Sequence, residues 1–337
     1  MEWSFMSIWN GVLDRPEMRT TEPRARLWAS ELYKPDVDIY LKLKGEQPTN
    51  VPNARSLRKF QAGNVWEYIL KLVLLRSGIL KTTQERIEYA HEGCLPVSGK
   101  IDFFAGGEID YAQAEKTIED LKDEELPFLY ETGLALVRAF KEKYPNGLVE
   151  KVIECKSVSV FAFNRIESTG KALPGHDLQA FHYAYGKQKE ATLVYVCRDD
   201  CRIIEIPLMP NDKKLLERYK AKVSRVTSFH AESVEPPKEP LVLFDEDLCK
   251  FSKNLGVEYS SYLTKLYGFK EPAEYDEATK GKVMRWNRVI GRIKRNEKMT
   301  ENNLEALNEM GTEGFNVESI KNLAKTKSAV DETDEEE

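Results

Sequence analysis

The stretch from Val149 to Val158 constrains this chain more than any other. Side chains of an extended segment alternate faces, so Glu154 and Lys156 share one face while Ile153 and Cys155 point the other way, into a core. A segment built like this belongs in a sheet with one packed face and one face free for chemistry. Gly99–Ala105 reads as a second such strand, with Asp102 on one face and Ile101 and Phe103 as its buried neighbours on the other. If the two strands pair, both carboxylates converge.

The flanking segments set the frame. Phe60, Val65, Ile69, Leu72 and Val73 recur at steps of three and four, which predicts a helix from Ser56 to Gly78 with the glycine as its C-terminal cap. Glu85–Tyr89 reads as a strand, followed by a turn at Cys94-Leu95-Pro96. An acidic, mostly helical insertion, 108–147, separates the two acid-bearing strands, with helices expected at Tyr111–Lys122 and Glu125–Tyr144 around Pro127. Gly175 opens a helix to about Lys187. Ala191–Arg198 and Arg202–Leu208 form a hairpin around Asp199-Asp200, and Asn211–Ser228 is helical.

The expected fold is α/β: a central mixed β-sheet flanked by helices, with a helical insertion and a helical C-terminal region. The expected divisions are an N-terminal extension (1–54), irregular apart from a short helix near Arg24–Tyr33; the core (55–230); a proline-rich linker (231–240); a helical region (241–325); and an acidic disordered tail (326–337).

Two acids and a lysine on strands, followed by a polar helix face, form a constellation suited to a divalent cation and a phosphodiester. Mg²⁺ keeps several waters and takes one or two carboxylates plus phosphate oxygens, so Asp102 and Glu154 suffice, with the Cys155 backbone carbonyl as a third ligand. Lys156 can orient water or stabilise charge developing on the phosphate. Gln179 and Tyr183, four apart on a helix, share a face and can reach the same site. Glu67 can supply a third carboxylate. Singly, each residue reads as an ordinary solvated strand or half-buried helix position; the ordered set is more specific than its members.

In that order the set resembles the PD-(D/E)xK nuclease superfamily, within it the RecB-like and phage-exonuclease branch that also includes the CRISPR-adaptation nucleases. The resemblance covers roughly 55–210. It rests on Gly63 with Glu67, Gly99 with Asp102, Glu154 with Lys156, and Gln179 with Tyr183. It implies a restriction-endonuclease-like core, Asp102 and Glu154 as metal ligands, Lys156 as the catalytic lysine, and Gln179 and Tyr183 as auxiliary residues. Two departures narrow it. Trp66 stands where many relatives carry a histidine before the helix acid. The cysteines do not match the spacing that holds an iron–sulfur cluster in the adaptation nucleases, so no cluster is expected.

From these readings the expected function is a metal-dependent DNA nuclease using Mg²⁺ or Mn²⁺. An exonuclease or DNA-end-processing enzyme of phage or mobile-element recombination or replication is favoured, with recombination or replication proteins as further partners. A structure-specific endonuclease and a non-catalytic DNA-binding protein are the alternatives. Gly93–Lys100 and Thr169-Gly170-Lys171 miss the phosphate-loop pattern, so no nucleotide cofactor is expected. No apolar run of about 18 residues predicts a membrane span. The first residues lack a basic leader, and the five widely spaced cysteines suit a reducing compartment, so a cytoplasmic location follows, the host's if the protein is phage-encoded.

His176, three residues before Gln179, is read more readily as a helix-cap histidine than as a site residue. Lys280–Lys298 holds eight Lys or Arg and one acid. On a helix Arg285, Arg288, Arg292 and Arg295 form a stripe that can neutralise phosphates, with Trp286 placed to stack on a base. A solvated helix packed through Trp286, Val289 and Ile293 fits equally well.

Overall fold

The computed structural model describes residues 22–120, 127–246 and 248–333, with Ser4, Met6 and Lys122. In chain order the elements are β1 (Leu27–Trp28), a 3₁₀ turn (Ala29–Glu31), α1 (Asp36–Leu43), α2 (Ala54–Arg76), β2 (Leu80–Tyr89), β3 (Val97–Gly107), α3 (Tyr111–Asp120), α4 (Pro127–Lys143) and β4 (Leu148–Val158). There follow α5 (Val160–Thr169), α6 (His176–Lys187), β5 (Ala191–Cys197), β6 (Ile203–Leu208), α7 (Lys213–Glu232), β7 (Val242–Asp245), β8 (Lys250–Lys253), α8 (Leu255–Glu258), α9 (Leu263–Tyr267), α10 (Pro272–Lys294), α11 (Glu301–Thr312) and α12 (Val317–Thr333). Two compact units emerge. The second gathers 34–38, 47–51 and the residues from Pro236 on, and the first gathers the rest.

The first unit is built on a six-stranded mixed sheet. β3 pairs antiparallel with β2 along most of its length and with β4 at its C-terminal end; β4 and β5 are parallel, and β5 and β6 form the expected antiparallel hairpin. α5 and α6 make the connection that parallel β4 and β5 require. One sheet face packs Val152, Leu193 and Tyr195 with Phe181 and Tyr183 of α6 and Tyr219 of α7. The opposite face packs Phe103, Ile153 and Val194 beneath Leu74 of α2. The insertion forms its own small cluster around Ala114, Ile118 and Val137.

Two features correct the sequence reading of this unit. No α-helix forms at Arg24–Tyr33. Leu27 and Trp28 instead run parallel to Val97 and Ser98 of β3, anchored by the Leu27 N–H donating to the Pro96 carbonyl at 2.9 Å. Burying Leu27 and Ala29 in the sheet's core outweighs local helix preference. Helix α2 forms as expected, its first turn capped by the Asn53 side chain accepting from the Ser56 N–H at 3.0 Å. Yet Phe60, Val65, Ile69 and Val73, whose spacing announces it, are exposed, and Leu74 alone is fully buried.

In the second unit, the β7–β8 hairpin, not expected from the sequence, packs Val242 and Phe251 against Trp286, Val289 and Ile293 of α10, with Met310 and Ile320 from α11 and α12. Helical backbone continues to Thr333, into the stretch expected to be a disordered tail; 334–337 lie outside the described residues.

Candidate active site

The site begins where the sheet opens. Along one edge of β3, β1 pairs at Val97 and Ser98, and β4 pairs from Phe103 onward. Between them β3 has no partner on that edge, and Asp102 stands in the gap. Its Oδ2 accepts the Cys155 backbone N–H at 2.9 Å, replacing the carbonyl that a continuous ladder would supply. Side-chain alternation breaks at the same place. Ile101 joins the core under α6 whereas Phe103 joins the cluster under α2, so the two expected to share Asp102's far face lie on opposite faces.

β4 keeps its alternation, and Glu154 and Lys156 do share a face. Glu154 is 1% exposed. Its Oε1 accepts from Lys156 Nζ at 2.7 Å and from Gln179 Nε2 at 2.7 Å, and Gln179 Nε2 also donates to the Tyr183 hydroxyl at 3.2 Å. Gln179 thus holds Glu154 directly, and Tyr183, one helical turn on along α6, braces Gln179. The ring of Tyr183 explains Gly99: a β-carbon there would lie 2.5 Å from Tyr183 Cε1. Glu67, on α2, accepts from Gln84 Nε2 at 2.8 Å. Gln84 was not singled out from sequence; it occupies an irregular point of β2 with φ 54°, a conformation that its neighbours Thr83 and Glu85 do not advertise.

Electrostatics tie these groups together. Burial, then the charge of Glu154, pushes the Asp102 carboxyl up to about 7. Burial, then the charge of Asp102, also raises Glu67. Burial works against the Lys156 ammonium, but Glu154 and Asp102 outweigh it and its pKa is raised. The other oxygen of Glu154, Oε2, is buried with no hydrogen-bond donor. Carboxylates crowded in this way relieve their repulsion by holding a proton or a cation. Among the described residues no group of three His, Cys, Asp or Glu side chains is placed to hold a metal ion. An ion that keeps waters and takes substrate oxygens does not need one, and an all-oxygen donor set with a bare, buried carboxylate oxygen fits Mg²⁺ or Mn²⁺.

His176 begins α6 beside this group. Its Nδ1 lies 3.1 Å from the Tyr195 hydroxyl, which accepts the Leu173 N–H at 3.1 Å and so keeps its own proton to donate. Burial, then the charge of Lys156, pushes the imidazole down to about 3, keeping it neutral.

The basic stripe of α10 behaves differently. Trp286 is fully buried against Phe251 and Phe315, and its Nε1 donates to Glu309 at 2.9 Å, so it is a core residue and does not offer its face to a base. Arg285 pairs with the same Glu309. Arg295 pairs with Glu297 at 2.6 Å, and Arg292 reaches Glu297 at 3.4 Å and Asn303 at 3.2 Å. Arg288 is exposed.

No protein-family model and no curated protein sequence matches this chain. Among solved structures, it is similar to a protein designated SSO0001, with a TM-score of 0.41 and 13% identity over 71% of this chain and 91% of that one. It is also similar to LHK-Exo, an alkaline exonuclease from Laribacter hongkongensis, with a TM-score of 0.37 and 14% identity over 68% of this chain and 94% of that one. LHK-Exo in complex with dAMP aligns with a TM-score of 0.37 and 13% identity. These are distant likenesses. Among the described residues no helix is long and apolar enough to cross a membrane.

Proposed function

We propose that this chain is a Mg²⁺- or Mn²⁺-dependent deoxyribonuclease, acting as an exonuclease or DNA-end-processing enzyme in recombination or replication. The observation that carries the reading is the meeting of Asp102 and Glu154 at the opening between β3 and β4, with Lys156 on one oxygen of Glu154 and the other oxygen bare. Asp102 and Glu154 would hold the ion, with the Cys155 carbonyl and Glu67 as further ligands. When bound, such an ion polarises a phosphate and lowers the pKa of a coordinated water.

The chain's own groups do the rest. Lys156 keeps its proton and offers positive charge to the oxygens of a phosphate entering the gap. Gln179, braced by Tyr183, and Lys156 fix the Glu154 rotamer, and the Cys155 N–H fixes that of Asp102. Both acids are therefore held in place before substrate arrives, so no reorganisation is needed at the moment of reaction.

End-labelled linear DNA and covalently closed circular DNA, incubated with Mg²⁺ or Mn²⁺, test this. Shortening of the linear substrate, with the circle intact, is expected. Cutting of the circle favours a structure-specific endonuclease, and failure to cut either, in both metals, refutes the nuclease reading. Chelation by EDTA is expected to abolish cleavage.

A further inference from the structure

Helix α2 reports how far the sheet extends beneath it. Phe60, Glu67 and Leu74 stand at seven-residue steps and so share one face. Leu74 is 8% exposed in the sheet's core, Glu67 is half-buried over the site, and Phe60 is 55% exposed. The N-terminal half of α2 therefore runs on past the part of the sheet that covers Leu74, with Phe60 uncovered on the same face as Glu67. Phe60 lies about 10 Å along the axis from Glu67, roughly three nucleotides of a stacked strand.

A glycine occupies the middle of that uncovered face. Gly63 precedes Glu67 by one helical turn and lies on the same side of α2. Glycine is among the poorest residues for a helix interior, and packing gives no reason for it here: a β-carbon at position 63 would meet nothing within 4 Å. A helix interior keeps such a residue when something outside the protein must come close to the backbone.

Charge says what kind of molecule this is. α2 carries Arg55, Arg58, Lys59, Lys71 and Arg76 against the single acid Glu67. On the sheet, Gly99 and Ile101 face α6, so Lys100 between them faces the α2 side, as does Arg86 across from it, which also bonds Ser98 at 3.0 Å and lies 3.6 Å from Glu88. An exposed aromatic ring among cations suits a polyanion whose bases are unstacked, because only an unpaired base offers its face to a side chain.

We propose that a single strand of DNA runs along the N-terminal half of α2 into the site, its backbone passing over Gly63 and one base stacking on Phe60. The nuclease reading places the scissile phosphate at Asp102 and Glu154; the binding itself does not depend on that reading. Gly63→Ala is the deciding variant, because helix propensity and strand access pull it in opposite directions. Fluorescence anisotropy of a labelled single-stranded oligonucleotide, measured in EDTA, reads affinity without cleavage, and a thermal melt reads stability. Gly63→Ala is expected to raise the melting midpoint while weakening single-strand binding by about fivefold or more. Phe60→Ala is expected to weaken it by at least about fivefold, the low end for loss of one base–aromatic stack. A Gly63→Ala protein that melts higher and binds as tightly as wild type overturns the proposal, and so does equal wild-type affinity for a blunt duplex of the same length. Wild-type protein that binds the strand but cuts nothing in Mg²⁺ or Mn²⁺ overturns the nuclease reading alone and leaves this one supported.

Discussion

Lys156 in the first unit and Arg285 in the second each hold a glutamate, but the two pairs leave different things over. Glu309 takes Arg285 and the Trp286 N–H on the same oxygen and is partly open to solvent, and the neighbouring Arg292 and Arg295 are met by Glu297. The glutamates there meet cations at the surface, and no buried carboxylate oxygen is left bare among them. At Glu154 one oxygen is buried and bare, and Asp102 adds a second carboxyl to the same opening. A charged cluster that satisfies itself serves the fold. A buried cluster with surplus charge of one sign is incomplete without a ligand.

The comparison breaks most sharply at Glu154. Glu154→Gln, which keeps the shape and removes the charge, is expected to lower cleavage of linear DNA about ten-thousandfold in a protein that still folds; Lys156→Ala is expected to lower it as far and also to lower the melting midpoint, because it strips the buried carboxylates of their cation. If either keeps near-wild-type cleavage, the surplus charge has no catalytic meaning. Next in size is Trp286→Ala. Removing a fully buried indole is expected to destabilise the second unit by about 3–5 kcal/mol, read by urea unfolding; a loss of DNA affinity in a fully folded variant would restore the stacking role that burial denies it.

A third contrast is pH. All four histidines lie in the first unit and none in the second. Burial, only partly opposed by the Ile87 carbonyl, pushes His182 down to about 4, and the ring stacks on Tyr89 with Nδ1 2.9 Å from the Tyr219 hydroxyl. Its folded value lies below the unfolded one of about 6.5, so the unfolded chain takes up the proton first as pH falls. The stability it contributes is complete above about pH 6.5 and is lost as pH drops toward 4. His182 alone is expected to cost the first unit about 2–3 kcal/mol across that window, with His176 acting in the same sense and Asp102, whose pKa is raised, in the opposite one. His182→Gln should remove that share, read as the difference between its urea midpoints and those of wild type at several pH values. The smallest effect belongs to Arg285→Ala. An exposed pair of this kind is worth under about 1 kcal/mol, and the salt dependence of DNA binding should change by less than about one phosphate contact.

The same contrast shows what the sequence could and could not convey. Strand alternation put Glu154 beside Lys156, and the helical step put Gln179 beside Tyr183, because both rules are local. The position of Asp102 is not local. It depends on the ladder opening between β1 and β4, and β1 is two residues long, drawn from a segment whose sequence reads as helix. Trp286 was ambiguous for a related reason: Phe251, against which it packs, belongs to the hairpin the sequence did not announce. The spacing of Phe60, Val65, Ile69 and Val73 announced α2 correctly but not which way it faces, since periodicity fixes a stripe and the sheet decides what is covered.

The bond from the Cys155 N–H to Asp102 gives that aspartate two employments at once. It is a suture in the sheet as well as an acid at the site. Asparagine can still close the suture while losing the charge, alanine leaves an open seam, and glutamate overshoots it by one carbon. Asp102→Asn should therefore fold like wild type and fail to cut, whereas Asp102→Ala should lose cleavage and also loosen the β3–β4 seam, seen as faster amide exchange at Cys155. Under the proposed function, drift at this position is policed twice, by folding and by chemistry; the fold alone already gives reason to keep an acceptor of this length.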